Sequence, residues 1–378
     1  MNIALLSTGF LGNNKEATSI TLLDFAKRLI KDGNNVVVVS EKRKESLRFE
    51  KFENIQVYRV GFPYGPKRFN PLSFYNRIFA HALGVKRMRS KFGEFDVVHS
   101  FSAAPVLVLR SVFSKIFNRK AKTVHTLKSY SRKKIGGGFY KFLNYVDAVT
   151  VPTKVFAEKL VKKGVSADKI KVIRSHIDIE KFKPMDKDKL KEKYGFSGKK
   201  IVFYYGAMWE KKGTDILIKA IPEIANKDKD VIFIFAPRNL PYANKFEKML
   251  EDSGFLDRIK MIKDDINVVE YVNMADVVAL PYPSLIGTEG NPSCMLEAMA
   301  CKTAVVTTDL AELREIAENS VLMAKAGDIK SLATEINKLI GDKKLRERLA
   351  GEAYEISKKF DARLITKQFL ELYKGLKS

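Results

Sequence analysis

Two carboxylates, Glu289 and Glu297, stand eight residues apart in Glu289-Gly-Asn-Pro-Ser-Cys-Met-Leu-Glu297. Eight residues is slightly more than two helical turns, so a helix beginning between them brings both acids to one side. Pro292 suits the first turn of such a helix, and Met295, Leu296, Ala298 and Met299 carry it into an apolar core. A buried helix that opens on a glycine-containing loop presents amide N–H groups and the positive end of its dipole, a seat for a pyrophosphate. A carboxylate at the same place pairs well with vicinal hydroxyls, because two O–H donors meet two acceptor oxygens. These residue types at this spacing point to nucleotide chemistry.

The elements that must position them follow from hydrophobic periodicity. In the first half, apolar runs at Ile3–Ser7, Val36–Ser40, Val57–Val60, Val97–His99, Thr123–His125 and Ala148–Val151 alternate with amphipathic stretches such as Thr18–Lys31. The rhythm restarts at Ile201–Tyr205 and continues through Val231–Phe235, Ile259–Ile262, Val277–Leu280, Ala304–Thr307 and Val321–Met323. Strands alternating with helices imply parallel sheets, and two such series make an α/β protein of two doubly wound domains. The expected division is 1–180 for the first domain, 181–359 for the second and 360–378 for a last helix. In open parallel sheets ligands lie beyond the carboxyl ends of strands, so the loops after each second-half strand are the expected nucleotide site.

The paired glutamates, the trailing Glu297-Ala-Met-Ala300 and the preceding Leu280-Pro281 resemble the signature of the retaining family 4 glycosyltransferases. That resemblance implies the GT-B arrangement of two facing Rossmann-like domains, with the C-terminal helix returning to the first. It also implies roles residue by residue. Glu289 matches an acid beside the donor sugar, and Glu297 one that binds the ribose hydroxyls. The segment Tyr205-Gly206-Ala207-Met208-Trp209-Glu210-Lys211-Lys212-Gly213 is similar to a Gly-Arg-x-x-x-x-Lys-Gly stretch whose two cations hold the donor diphosphate. Lys212 takes the place of the lysine, whereas Ala207 stands where the arginine would be, so Lys211 or Arg238 is a candidate replacement. Gly206, together with the backbone of Gly290, Asn291 and Ser293, completes the implied donor side; Pro292 has no N–H to give. Asp276 matches a family aspartate read here as structural. On the acceptor or sugar side, Gly9, Gly12 and Asn13 follow the first strand, His125 closes another, and His99 is placed in a similar loop. The catalytic assignment is therefore Glu289, His125 and Lys212. Asp-x-Asp metal motifs are absent from the strand ends, so no metal and no cofactor is expected; the nucleotide-diphosphate sugar is itself a substrate.

Charge supplies the second clue. Of the net +24, residues 1–180 contribute 34 Lys and Arg against 14 Asp and Glu, and residues 51–150 hold 19 against 4. Such a localised field describes a partner. Residues 64–92, 110–122 and 130–145 mix cations with aromatics, a combination suited to an anionic membrane surface, and a lipid-linked or anionic glycan acceptor is the matching expectation. Met1–Ser7 lacks the charged start and cleavage pattern of a leader and reads as a buried strand, so the cytoplasm is the expected location, and the basic, aromatic segments make peripheral attachment to the cytoplasmic face of the membrane a further expectation. Cys294 and Cys301 sit seven apart on the same helix and read as reduced packing residues.

The reaction implied is transfer of a hexose-type sugar from a nucleotide-diphosphate sugar with retention. A nucleotide-sugar epimerase would share the architecture but needs no basic acceptor face. A basic nucleic-acid-binding protein would account for the charge but not for the paired glutamates, so nucleic acid is not the expected partner. A nicotinamide enzyme would require a Gly-x-Gly-x-x-Gly loop that is missing. The matched motifs carry no signal separating UDP from GDP and none naming the sugar.

Overall fold

The computed structural model describes residues 1–10, 17–42, 46–62, 75, 77–129, 137–237, 243–286, 288 and 290–377. The chain forms two compact units, Met1–Arg174 with Arg363–Ser378, and Ser175–Ala362. The first contains strands β1 (Asn2–Ser7), β2 (Asn35–Glu41), β3 (Phe49–Phe52), β4 (Ile55–Val60), β5 (Val97–Phe101), β6 (Lys122–Thr126), β7 (Ala148–Val151) and β8 (Ile170–Val172). Between them run helices α1 (Ala17–Lys31), α2 (Phe79–Phe92), α3 (Leu109–Phe117) and α4 (Lys154–Val161). The sheet order is β3-β4-β2-β1-β5-β6-β7-β8. It is parallel except at one edge, where β3 runs antiparallel to β4 through a two-residue turn, Glu53-Asn54, with both φ angles positive. Such a turn matches the twist of the paired strands, and the wholly parallel sheet expected from periodicity is corrected at this hairpin.

The second unit contains α5 (Lys187–Lys193), β9 (Lys200–Gly206), α6 (Thr214–Lys227), β10 (Val231–Pro237), α7 (Ala243–Glu251), β11 (Ile259–Met261), α8 (Val268–Met274) and β12 (Val277–Leu280). It continues through α9 (Ser293–Ala300), β13 (Ala304–Thr308), α10 (Ala311–Ala317), β14 (Leu322–Ala324), α11 (Ile329–Gly341) and α12 (Lys343–Ser357). Its six parallel strands are ordered β11-β10-β9-β12-β13-β14. The order reverses direction between β9 and β12, as it does between β1 and β5 in the first unit. Loops leaving the carboxyl ends of strands at such a switch point diverge and leave a crevice for a ligand. The fold is thus two doubly wound Rossmann-like units of the GT-B class.

The last helix, α13 (Ala362–Lys377), packs in the first unit: Ile365, Phe369 and Tyr373 join Leu5, Phe25, Val38 and Val97 in one core. Lys377 adds an ion pair to Asp96, 2.5 Å.

In the second unit, buried Asp276 precedes β12 and accepts hydrogen bonds from the Ile201 amide at 2.8 Å and the Lys191 ammonium at 2.7 Å. Lys187 and Arg346 lie 3.6 and 3.8 Å away, so α5, β9 and α12 are tied to one carboxylate. Burial opposes ionisation, but Lys187 and Lys191 outweigh it and hold the Asp276 carboxyl below its ordinary value. A depressed carboxyl contributes stability above its unfolded value of about 3.9, and that contribution disappears as pH falls through the lower folded value. Removing one partner of a buried ion pair costs about 3–5 kcal/mol. Asp276→Ala is therefore expected to lose about that much in urea unfolding at pH 7, and the gap to wild type should narrow once the pH drops well below about 3.9.

Candidate active site

In the second unit the site is built from the loops after β9 and β12 and the start of α9. β9 ends at Gly206 with φ 112°. A short turn of 3-10 helix, Glu210–Lys212, follows, then Gly213 with φ 74°. A Cβ on Gly213 would stand 1.7 Å from the Pro281 carbonyl oxygen and 2.6 Å from its carbon. Only a residue without a side chain lets the β9 loop press against the backbone just beyond β12. The Tyr204 hydroxyl donates to the Ala207 carbonyl at 3.0 Å and accepts from Thr214 Oγ1 at 2.8 Å, pinning both ends of the same loop. Lys212 is thereby carried to the mouth of the switch point, its ammonium 5.3 Å from the centre of the Tyr282 ring.

Glu297 lies on α9 and is 9% exposed. The Tyr205 hydroxyl donates to its Oε2 at 2.7 Å and sits 3.0 Å from the Cys294 carbonyl. Burial and the negative charge of Glu297 push the Tyr205 phenol well above its ordinary value, so it stays protonated and keeps donating. Burial and the same carboxylate push the Cys301 thiol up to about 12, and both cysteines are free. The phenol takes part of the carboxylate's acceptor capacity.

α9 begins one residue later than the sequence suggests. Pro292 is the N-cap, its carbonyl accepting from the Met295 and Leu296 amides, and Ser293 and Cys294 carry the first amides of the helix. Gly290 and Asn291 are buried in the loop before it. Both amide atoms of the Asn291 side chain, and Thr288 Oγ1, are buried without a hydrogen-bond partner. Glu289 and Arg238 lie outside the described residues, as do Gly12 and Asn13. Lys211 is exposed one residue before Lys212.

In the first unit, His125 lies on β6 with Nδ1 against Ser100 Oγ and Nε2 3.2 Å from Ser102 Oγ. Burial, reinforced by the charge of Arg110, holds it neutral, well below the usual histidine value. His99 is inside β5, which corrects its expected loop position. Its Nδ1 meets Tyr373 on α13 at 2.5 Å and its Nε2 meets Thr126 at 2.6 Å, so both ring nitrogens are committed to the protein. Burial keeps it neutral as well. Gly9, after β1, accepts a hydrogen bond from Ser19. Tyr205 of the second unit and Arg110 of the first have roles that the sequence did not single out. Tyr205 sits beside Gly206, but its alternation looked like any strand aromatic. Arg110 donates to the Leu6 and Phe101 carbonyls at 3.0 and 2.6 Å, joining the ends of β1 and β5, and burial draws its guanidinium down to about 9.

The second unit thus combines a doubly wound sheet with a buried carboxylate on α9 and a lysine on the loop after β9. Residues 18–181 match Glycosyltransferase Family 4 and residues 186–356 match Glycosyl transferases group 1. The chain belongs to this family and is a glycosyltransferase. It is 22% identical to the phosphatidylinositol N-acetylglucosaminyltransferase GPI3 subunit of Saccharomyces cerevisiae, over 100% of this chain and 83% of that protein. It is 30% identical to N,N'-diacetylbacillosaminyl-diphospho-undecaprenol alpha-1,3-N-acetylgalactosaminyltransferase of Campylobacter jejuni, over 57% of each chain. The fold is similar to that of HepE of Anabaena in complex with UDP, with TM-score 0.79, 18% identity, and coverage of 99% of this chain and 100% of that one.

The two loop glycines should respond differently to substitution. At Gly213 the left-handed backbone costs alanine about 1–2 kcal/mol and the Pro281 overlap adds to it. At Gly206 the nearest atom to a new Cβ is Cys294 Sγ at 3.8 Å, so the cost is the backbone term alone. Urea unfolding of Gly213→Ala should show the larger loss, and equal midpoints for the two variants would refute the close packing.

Proposed function

We propose that the protein is a retaining hexosyltransferase that takes its sugar from a nucleotide-diphosphate sugar and gives it to a lipid-linked or phosphate-bearing acceptor. The observation that carries the reading is the buried Glu297 carboxylate, held by Tyr205 at the start of α9, close in the fold to the loop that presents Lys212. In this scheme the ribose diol donates to Glu297, and the diphosphate lies against Lys212 and the amides around Gly290 and Ser293. The bond between the anomeric carbon and the phosphate oxygen breaks as negative charge grows on the leaving group, where a cation and helix amides stabilise it most. The acceptor oxygen bonds to the anomeric carbon on the same face, and its proton passes to the departing phosphate oxygen. No resident metal enters the scheme. The family match alone assigns His125 to the sugar side and Glu289 to the donor sugar.

A lipid-type acceptor is favoured by the names of the yeast and Campylobacter relatives, which concern phosphatidylinositol and a diphospho-undecaprenol. It also agrees with the basic and aromatic character of the first unit. Among the described residues no helix is long and apolar enough to cross a membrane, so contact with such an acceptor would be made from the surface.

The test is thermal stabilisation by UDP, GDP and their sugars. A ligand at about a hundred times its dissociation constant adds roughly 2.7 kcal/mol. One nucleotide class should raise the melting temperature of wild type and leave Glu297→Ala unmoved. Tyr205→Phe should weaken that nucleotide about tenfold, the scale of one hydrogen bond to a charged group. Absence of a response to every nucleotide, or an undiminished response in Glu297→Ala, would overturn the donor-site reading.

A further inference from the structure

Helix α3 buries polar residues beside Leu109 and Val112, which pack on the core, and leaves other apolar residues half-buried or exposed. Its buried side carries Arg110, Ser111 and Ser114, followed by Asn118. Those groups face the sheet: Arg110 bonds the ends of β1 and β5, Ser114 bonds the Arg110 carbonyl at 2.6 Å, and Asn118 bonds the Phe95 carbonyl at 3.1 Å. The outward side carries Phe113, Ile116 and Phe117, with Ile116 63% exposed. The adjoining helix α2 extends the apolar strip with Phe79, 40% exposed, and Leu83, 39% exposed one turn further on. The Phe79 ring stacks on Phe113 at 4.9 Å and 19°, and Tyr75 stacks on Phe79 at 6.4 Å. Cations rim this strip. The Lys86 ammonium lies 5.1 Å from the Phe117 ring, Arg89 donates to the Phe117 carbonyl at 2.7 Å, and Lys120 is exposed beyond the helix end.

We infer that the outward face of α2 and α3 is the face that enters an anionic lipid surface, with Phe79, Leu83, Phe113 and Ile116 in the interface and the lysines and arginines at headgroup level. This rests on the lipid-type acceptor reading and adds to it the place of contact. An apolar strip with a basic rim gains from both burial and attraction to anionic lipid. A second copy of the chain fits poorly, because residues 75–122 hold ten Lys and Arg against two Asp and Glu, and a symmetric contact would set this charge against itself. A nucleic acid would engage the cations and aromatics but leave aliphatic Leu83 and Ile116 without a partner.

The experiment is co-sedimentation of the full chain with phosphatidylcholine vesicles, and with vesicles containing about one-third phosphatidylglycerol. Wild type should partition into the anionic vesicles, and Leu83→Glu/Ile116→Glu should do so at least about tenfold less. Both positions are exposed, so the urea midpoint and the nucleotide-induced thermal shift of the double variant should equal those of wild type; Leu83→Ala/Ile116→Ala gives an intermediate loss and guards against a folding artefact. Equal partition of wild type and both variants would overturn the inference, and so would failure of wild type to bind anionic vesicles. A wild-type dimer that becomes monomeric in the double variant, without vesicle binding, would assign the face to a second copy instead. Vesicle binding that persists in a protein insensitive to every nucleotide would sink the transferase chemistry and leave this surface standing.

Discussion

The donor-side architecture depends on a single close approach, Gly213 against the backbone of Pro281. The strand order brings β9 and β12 together at the switch point, but adjacency of strands does not fix the loops that leave them. The missing side chain at Gly213 does, since it permits the β9 loop to lie on the chain segment that leads into Tyr282 and on toward α9. Lys212 and Glu297, 85 positions apart in sequence, lie on the two segments that this contact joins, with Tyr205 holding Glu297 and the Tyr282 ring facing Lys212. The Tyr204–Thr214 hydrogen bond then closes the loop from inside.

Two buried carboxylates in this unit meet opposite fates, and the difference separates architecture from chemistry. Asp276 is surrounded by Lys191, Lys187, Arg346 and a backbone amide, which compensate its charge completely enough to depress its titration. Glu297 has a neutral phenol at 2.7 Å, which orients it without cancelling its charge. Asp276 spends its acceptor capacity on cations and backbone of the fold, whereas Glu297 accepts from a phenol on β9. The histidines of the first unit divide in the same way. His99 has both nitrogens tied to Tyr373 and Thr126 and works as a bracket between β5, β6 and α13, while His125 is paired with two serines near the strand ends.

Much of this was legible in the sequence because parallel strands buried on both faces read as continuous apolar runs. Val36–Ser40 and Val277–Leu280 are of that kind, and so are their structural counterparts β2 and β12. The strands that escaped are those whose composition gives no such run: Phe49-Glu-Lys-Phe52 and Ile170-Lys-Val172 sit at sheet edges, where one side is open to polar groups. His99 was misplaced because β5 continues two residues beyond its apolar start, through Ser100 and Phe101. Tyr205 and Arg110 escaped for a different reason. Their roles are set by what lies opposite them in space, and nothing local in the chain distinguishes a tyrosine that meets Glu297 from one that meets a leucine.

Helix α3 joins the two themes of the chain, buried polarity and a lopsided charge. Arg110 and Asn118 turn inward because the carbonyls of Leu6, Phe101 and Phe95 require donors at the ends of their strands or just before them. A helix of nine residues that gives part of its inner side to those bonds packs Leu109 and Val112 on the core as well and leaves Ile116 outward. In a protein surrounded by water on that side, the outer face would be filled with solvated groups at no cost to the inner bonds. That it instead carries Phe113, Ile116 and Phe117, within the part of the chain where basic residues exceed acidic ones most strongly, means the surface has its own physical requirement, independent of the hydrogen bonds beneath it. The second unit, nearly balanced in charge, holds the Glu297–Tyr205 pair and the loop that carries Lys212, and the first holds the basic excess.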